Sequence, residues 1–525
     1  MDRGARRKEI LVAWSKTRAE ERITKYLESV PRTGVSVETF EKRYERMWVA
    51  AKAARSTPGY NPLVRIPPSQ AILVHGVHVY VQLTDYHSLV GDVARDRDER
   101  HKRMLKFLHT HYSATDQVVI EYEAQRVDYH GPRLHAVIAT PVGNDGEFER
   151  VRRAIDFAMA VKRMIEVVGA KVLGGEFATG VRIGIDSGMA VAVNSGRSDE
   201  QEPLFLGNPA NYAAKLAEGD EPGIYLSDRV RAVLGMARMG GLVGERKAAY
   251  VQDVFGAARF NRSMSDGRIE MLSEDLRKEI EPQLRDAEFH FHRHQPPLST
   301  IDYSLLQPSN TIHMHMLSIF ADIDGFTAYV QRCIDTGNVQ ELVSNLHIIR
   351  KELAAVLKAD FNGRKVRFIG DCLHGILAEG DRLTTDAGAT VQSGVLCAGG
   401  IRSSFELCQR MLPGISGLGL AIGMEYGTTP VTRLGSRGEM SVRCATSRAV
   451  TESENMQSKL GGKETGLGDR ALSKAPLRIR KLFDNAGVAL GLDYAAVTTL
   501  AMPAVVTAAT AAPTAAQTFR PHTER

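Results

Sequence analysis

Hydrophobic and polar positions along the chain form short β-type runs separated by longer stretches of helical period, the pattern of a mixed α/β chain. Residues 71–83 are rich in β-branched side chains and predict a strand. Residues 118–121 and 134–140 predict a strand pair, 181–185 with 189–193 a hairpin, and 223–226 a short strand. Between them, the charged stretch 95–109, the periodic stretch 148–168 and the short stretch 211–217 predict helices. Residues 1–66 read as a basic helical segment closing on a Pro-rich stretch. Residues 263–305 are charged and interrupted by Pro282, Pro296 and Pro297, and read as a helical linker. From about residue 311 the strand and helix order starts again.

The restart is a repeat. Residues 183–188, Ile-Gly-Ile-Asp-Ser-Gly, match residues 422–427, Ile-Gly-Met-Glu-Tyr-Gly, at an offset of 239. Residues 80–87 lie on 320–327 at an offset of 240, and Gly131-Pro132 lies on Gly370-Asp371 at 239. Three landmarks at nearly one spacing imply two copies of one domain of the α/β or α+β class. The expected organisation is a helical segment at 1–66, a first copy at 67–262, the linker at 263–305, a second copy at 306–485, and an Ala/Thr-rich tail at 486–525 that is disordered over 503–525.

Composition narrows the setting. Hydrophobic residues make up 43% and charged residues 25% of the 525, which excludes wholesale disorder. The net charge of +5, from 67 basic and 62 acidic residues, gives no reason to expect a nucleic-acid partner. No run of about 18 uncharged apolar residues predicts a membrane span, and the basic start lacks the apolar stretch of a secretory signal. Five cysteines, none of them in the first 332 residues and none in a C-x-x-C pair, fit a reduced, cytoplasmic setting.

The chemistry concentrates in residues 318–327, Ser-Ile-Phe-Ala-Asp-Ile-Asp-Gly-Phe-Thr. A strand ends in the carboxylate of Asp322 and turns through Gly325 into a helix. The N–H groups of Gly325, Phe326 and Thr327 then point into the same space, suited to phosphate beside a hard cation. A second carboxylate, Asp371, arrives 49 residues on in the tight turn of Ile369-Gly370-Asp371. Either Asp alone is commonly a solvated turn residue. Together they form a pair able to hold two divalent ions, which clamp an attacking and a leaving oxygen.

These residues resemble the class III nucleotidyl cyclases, whose metal-site pattern F-x-D-I-x-G-F-T followed by I-G-D stands here at 320–327 and 369–371. A third family element, G-x-x-V-N-x-A-A-R-L, stands in the first copy as Gly-Asn-Pro-Ala-Asn-Tyr-Ala-Ala-Lys-Leu at 207–216, with Lys for Arg. The resemblance covers 70–262 and 306–460. It implies two tandem ferredoxin-like βαβ domains paired head to tail, an intramolecular pseudo-heterodimer open to higher oligomers. Gln82 and Pro132 take the metal positions of the first copy. In the second copy the Asn and Arg positions fall near Arg443 and Ser447. One complete site is therefore implied, with Asp322, Ile323 and Asp371 as metal positions for two divalent cations, Mn2+ or Mg2+. Asn211 would orient the ribose, and Lys215 would neutralise charge on the α-phosphate. Attack of the ribose 3′-oxygen on the α-phosphorus would release pyrophosphate. Phe320, Gly325, Phe326, Thr327 and Arg367 are implied on the substrate side. Taken alone, Asn211 could be a helix cap and Lys215 a solvated surface residue.

The base-reading positions of the family fall on Asp128 and Leu204. Neither the Lys/Asp pair of adenylyl cyclases nor the Glu/Cys pair of guanylyl cyclases is present. With residues 443–454, this departure resembles the bacterial Pycsar pyrimidine cyclases. That resemblance implies conversion of UTP to cyclic UMP in antiphage defence, with a separate cyclic-nucleotide-responsive effector protein. The alternatives are a cytidylate cyclase, an adenylyl cyclase and a pseudo-cyclase that binds nucleotide without turnover. Gly174-Gly175-Glu176-Phe177 is similar to a diguanylate cyclase signature but one residue short, and His290, His292 and His294 read as a solvated linker.

Overall fold

The computed structural model describes residues 13–29, 35–53, 63, 66–67, 70–91, 98–195, 202–247, 265–286, 289–435 and 441–501. Two sheets carry the repeat. The first has seven strands: β1 (Ser36–Thr39), β2 (Gln70–Leu83), β3 (Gln125–His130), β4 (Arg133–Ile138), β5 (Val181–Ser195), β6 (Glu202–Leu206) and β7 (Gly223–Leu226). Its order is β3-β4-β2-β5-β6, with β1 against β2 and β7 against β5. The second has eight: β8 (Phe291–His292), β9 (Thr311–Asp324), β10 (Arg364–Ile369), β11 (Cys372–Leu377), β12 (Gly419–Leu434), β13 (Val442–Ala445), β14 (Glu464–Leu467) and β15 (Val488–Leu490). Its order is β10-β11-β9-β12-β14-β15, with β13 against β12 and β8 against β9.

The strand registers reproduce the repeat. Tyr80 sits between His135 and Gly184, and Phe320 sits between His374 and Gly423. Strand alternation then sorts the faces. Val77, Val79 and Val81 on β2, and Leu317, Ile319, Ala321 and Ile323 on β9, face helix-covered cores. His78, Tyr80 and Gln82, and Ser318, Phe320 and Asp322, point to the opposite faces.

Local pattern misled at three places. Residues 118–121 carry three β-branched residues but close the helix Asp98–Glu121, where Val118 and Val119 are buried against the first core. The strand is the next segment, β3. Residues 181–195 form one continuous strand rather than a hairpin, because β2 supplies an unbroken antiparallel partner from Val181 to Ala192. In the expected tail, residues 486–501 carry β15 and the helix Tyr494–Ala501. Residues 503–525 lie outside the described residues. The linker is helical over Asp266–Asp286 and then runs into β8.

The N-terminal segment fastens the two copies together. β1 adds in parallel to β2 of the first copy. The helix Lys16–Ser29 instead docks on the second. There Arg22 donates to Glu352 (2.9 and 2.6 Å) and to Asp360 (3.1 and 3.0 Å). Trp14 Nε1 donates to Ser404 (2.9 Å), which donates to Glu352 (2.8 Å). Glu352 and Asp360 are almost fully withdrawn from water, so Arg22 compensates two buried negative charges. Removing one partner of such a cluster strands the other. Arg22→Ala is expected to cost about 3 kcal/mol, measured by urea denaturation. An unchanged midpoint would show that the cluster contributes nothing net.

Candidate active site

A cavity of about 1810 Å³ runs between the two copies, and every residue assigned to the site from the sequence lines it. The second copy contributes its metal-type end. β9 closes on Asp322 and Asp324, and Gly325 (φ 80°) makes the left-handed turn into the helix Phe326–Asp335. Across the sheet, Leu373 opposite Ala321 brings the β10–β11 turn beside Asp322. Gly370 (φ 62°) makes that turn and presents Asp371.

Burial, then the charge of Asp324, pushes the Asp322 carboxyl up to about 6. Burial, then the charge of Asp322, pushes Asp371 well above the carboxylate range. Two hard oxygen donors that resist ionising beside one another match the demand of a divalent cation. Among the described residues no group of three or more His, Cys, Asp or Glu side chains is placed to hold a metal ion by itself. Two carboxylates and the carbonyl of Ile323 are a sufficient protein contribution where phosphate and water complete the shell. The residues present therefore fit such an ion.

The first copy contributes the helix Asn208–Leu216, which enters from β6. Asn211 and Lys215, four apart, share its exposed cavity face. The helix is capped by Gly207, so Asn211 is not the cap. Its amide donates instead to the Thr327 hydroxyl of the second copy. The two half-sites thus touch directly.

Deeper in the cavity, Arg367 Nη1 donates to both Asp128 oxygens (2.9 Å each) and to the Tyr129 carbonyl. Asp128 is opposite His135 and Arg367 opposite His374. They are therefore equivalent positions of the two copies, joined across the pseudo-twofold axis. Leu204 is buried on β6 opposite Val193.

The site related to it by the pseudo-twofold axis is closed by protein charges. Gln82, where the second copy has Asp322, accepts from Arg133 Nε (2.8 Å). Glu454 reaches His130 (3.1 Å) and Arg133 (3.6 Å). Burial raises the Glu454 carboxyl, but His130 and Arg133 outweigh it and hold it down at about 2. A guanidinium thus stands where a metal ion would be needed.

One register needs correction. Gly184 abuts Ala213 and Ala217, and Gly423 abuts Ser453 and Gln457, so the two helices correspond at an offset of 240. The second-copy counterparts of Asn211 and Lys215 are therefore Thr451 and Asn455, not Arg443 and Ser447. Arg443 is on β13, and Ser447 caps the helix Arg448–Gln457.

The sequence reading missed Arg350. It lies in the helix Val339–Ala355 on the stripe of Val343, Leu346 and Leu353, is 4% exposed, and lines the cavity. A cation inside an i, i+3, i+4, i+7 apolar stripe was the signal available.

Paired copies of one fold, with carboxylates from one and an Asn and a cation from the other meeting in a single cavity, define a two-domain site for reaction at a nucleoside triphosphate. Residues 86–271 match the family of the adenylate and guanylate cyclase catalytic domain. A Rhizobium sp. protein named uridylate cyclase is 49% identical over 498 residues, 93% of this chain and 95% of the relative. A Pseudomonas aeruginosa protein of the same name is 40% identical over 444 residues, 82% of this chain and 84% of the relative. A crystal structure of a class III adenylyl cyclase-like ATP-binding protein from Pseudomonas aeruginosa superposes with a TM-score of 0.82 at 35% identity, over 93% of this chain and 99% of that one. The chain belongs to the class III nucleotidyl cyclases. It is a nucleotide cyclase, a lyase of a class that generally uses divalent metal ions. Among the described residues no helix is long and apolar enough to cross a membrane.

Proposed function

We propose that the chain converts UTP to 3′,5′-cyclic UMP and pyrophosphate. The observation that carries the base assignment is the 49% identity, nearly end to end, with a protein named uridylate cyclase. Asp322, Asp371 and the Ile323 carbonyl would hold two divalent cations, Mn2+ or Mg2+, which when bound acidify the 3′-hydroxyl and neutralise the triphosphate. The N–H groups of Gly325, Phe326 and Thr327 cradle the phosphates at a helix N-terminus. Asn211, steadied by Thr327, orients the ribose. Lys215 meets the charge that grows on the α-phosphate as the 3′-oxygen attacks and pyrophosphate leaves. Lys keeps the charge of the family Arg without its planar fork. At the base end, Leu204 and Phe320 pack the ring, while Asp128, held by Arg367, is an accept-only group for a ring N–H.

The wider role we propose is a cytoplasmic second-messenger synthase in antiphage defence, read by a separate effector protein. Further self-association of the pseudo-heterodimer is compatible with this role.

The test is incubation of the purified chain with ATP, GTP, CTP and UTP in Mn2+, with products identified by mass spectrometry. Cyclic UMP is the expected product. Cyclic CMP or cyclic AMP as the main product would overturn the base assignment and keep the reaction. The ATP-binding description of the Pseudomonas structure makes cyclic AMP the arm to watch.

A further inference from the structure

The helix Arg448–Gln457 of the second copy takes the place of the helix that carries Asn211 and Lys215 in the first, yet its Thr451 and Asn455 lack that chemistry. It is nevertheless fixed closely to the metal-bearing strand. Gly423, which has no side chain, lets the backbone at Ser453 and Gln457 lie against the sheet. Ser453 donates to Ser318 on β9 (2.8 Å), on the face that also carries Asp322. One turn further on, the buried Gln457 donates a hydrogen bond to Asp322 and lines the cavity. Between them, Glu454 reaches out of the second copy. It pairs with His130 (3.1 Å) and Arg133 (3.6 Å) of the first, and Arg133 donates to Gln82 (2.8 Å). A continuous path of contacts therefore runs from the disused metal position, Gln82, to the metal position in use, Asp322.

A carboxylate serves a metal ion only when its oxygens are aimed, and outer hydrogen bonds do the aiming. Gln457 is a neutral donor, so it orients Asp322 without neutralising the charge that an ion needs. The Cys372 thiol also donates to Asp322 but is the weaker donor. Glu454 and Gln457 stand three residues apart on one short helix, as neighbours on one face. What holds Glu454 in place therefore holds Gln457. We propose that the disused site is kept as a clamp between the copies: Glu454 is a positioning residue that acts through Gln457 to aim Asp322 at the metal. The pairing of Glu454 with His130 and Arg133 thereby makes the metal site depend on the first copy. This inference rests on the reading of Asp322 as a metal ligand.

The experiment uses the full chain and reads Mn2+ binding by electron paramagnetic resonance without nucleotide, alongside kcat, KM and the Mn2+ dependence of turnover. Gln457→Met keeps the length of the side chain and removes the donor. It should weaken Mn2+ binding by about 10- to 100-fold. Saturating Mn2+ should return kcat to within a few-fold, with KM for UTP little changed. Glu454→Gln keeps the shape and removes the charge. It should weaken Mn2+ binding by roughly 2- to 30-fold, and it also serves if the Met variant does not fold. The double variant should bind Mn2+ no more weakly than Gln457→Met alone, since both changes act through one hydrogen bond. Unchanged Mn2+ affinity in either single variant, or losses that multiply in the double, would overturn the proposal. So would a loss of kcat that saturating Mn2+ does not restore, which is the mark of a merely structural role. A wild-type chain that takes up no Mn2+, or whose uptake survives Asp322→Ala, would overturn the metal reading of Asp322 and this inference with it.

Discussion

Asp371→Ala is expected to abolish cyclic nucleotide formation, by about a thousandfold or more, and at the same time to raise the melting temperature. The first half follows from the donor set. Asp322 and Asp371 are the buried carboxylates at the phosphate end of the cavity, beside Asp324 and the Phe326–Asp335 helix, and on the reading proposed above removing one of them takes away half of the charge that would hold a divalent cation there. A thousandfold is about 4 kcal/mol of barrier. The second half follows from electrostatics in the free protein. Asp371 is pushed up by burial and by Asp322. Burial and the repulsion by Asp322 outweigh the backbone N–H of Ile323 and the charge of Arg350 that favour the carboxylate, so truncating it is a trade of stability for function. Product mass spectrometry and thermal denaturation read the two halves independently. Residual turnover above a tenth of wild type would remove Asp371 from the metal site. Lost turnover with a large fall in melting temperature would mean that the variant fails by unfolding.

The parts of the structure legible in the sequence were those fixed by short, local patterns. Asp322, Gly325 and Asp371 stand at turns whose chemistry is carried by adjacent residues. The repeat was readable because Gly184 and Gly423 both leave room for a helix to approach the sheet, which keeps the surrounding residues similar. The counterpart of Asn211 in the second copy was misplaced because Thr451 and Asn455 retain nothing of the family pattern. Only the three-dimensional approach of Gly423 to Ser453 and Gln457 fixes that register. Arg22 was invisible, and Arg350 showed only as a cation inside an apolar stripe, for a related reason. Each is an ordinary arginine on a helix, and its meaning lies in partners more than 300 residues away or across a cavity. The strand predicted at 118–121 failed because burial of a helix face overrode β-propensity.

The second large expectation is a loss of stability on mild acidification, and it comes from histidines rather than from the active site alone. His78, His111, His135 and His374 are buried. Burial depresses all four, His78 to about 3 and His111 to about 4, and His135 and His374 well below their ordinary value. Their contacts suit neutral rings. His78 Nδ1 meets His135 Nε2 at 3.0 Å, His135 stacks on Tyr80, and His374 stacks on Phe320. His78 Nε2 and His111 Nδ1 are buried without a partner. Unfolded, each would titrate near 6.5. Between that value and the depressed folded ones, the unfolded chain holds more protons, so stability falls as pH falls. Four such groups amount to about 5 kcal/mol per pH unit below 6.5. Asp322, raised to about 6 in the fold, takes up a proton over the same range and acts with the opposite sign, so it offsets part of that slope, and Asp371, raised well above the carboxylate range, acts in the same sense as Asp322. Urea denaturation at pH 7.0 and 5.5 should therefore show a loss of several kcal/mol, a large part of the stability of an ordinary domain. The variant His78→Leu/His135→Leu removes two of the four groups and should cut the dependence by at least half. A wild-type stability that is level from pH 7.0 to 5.5, or a double variant with the wild-type slope, would show that these rings carry their protons in the folded chain.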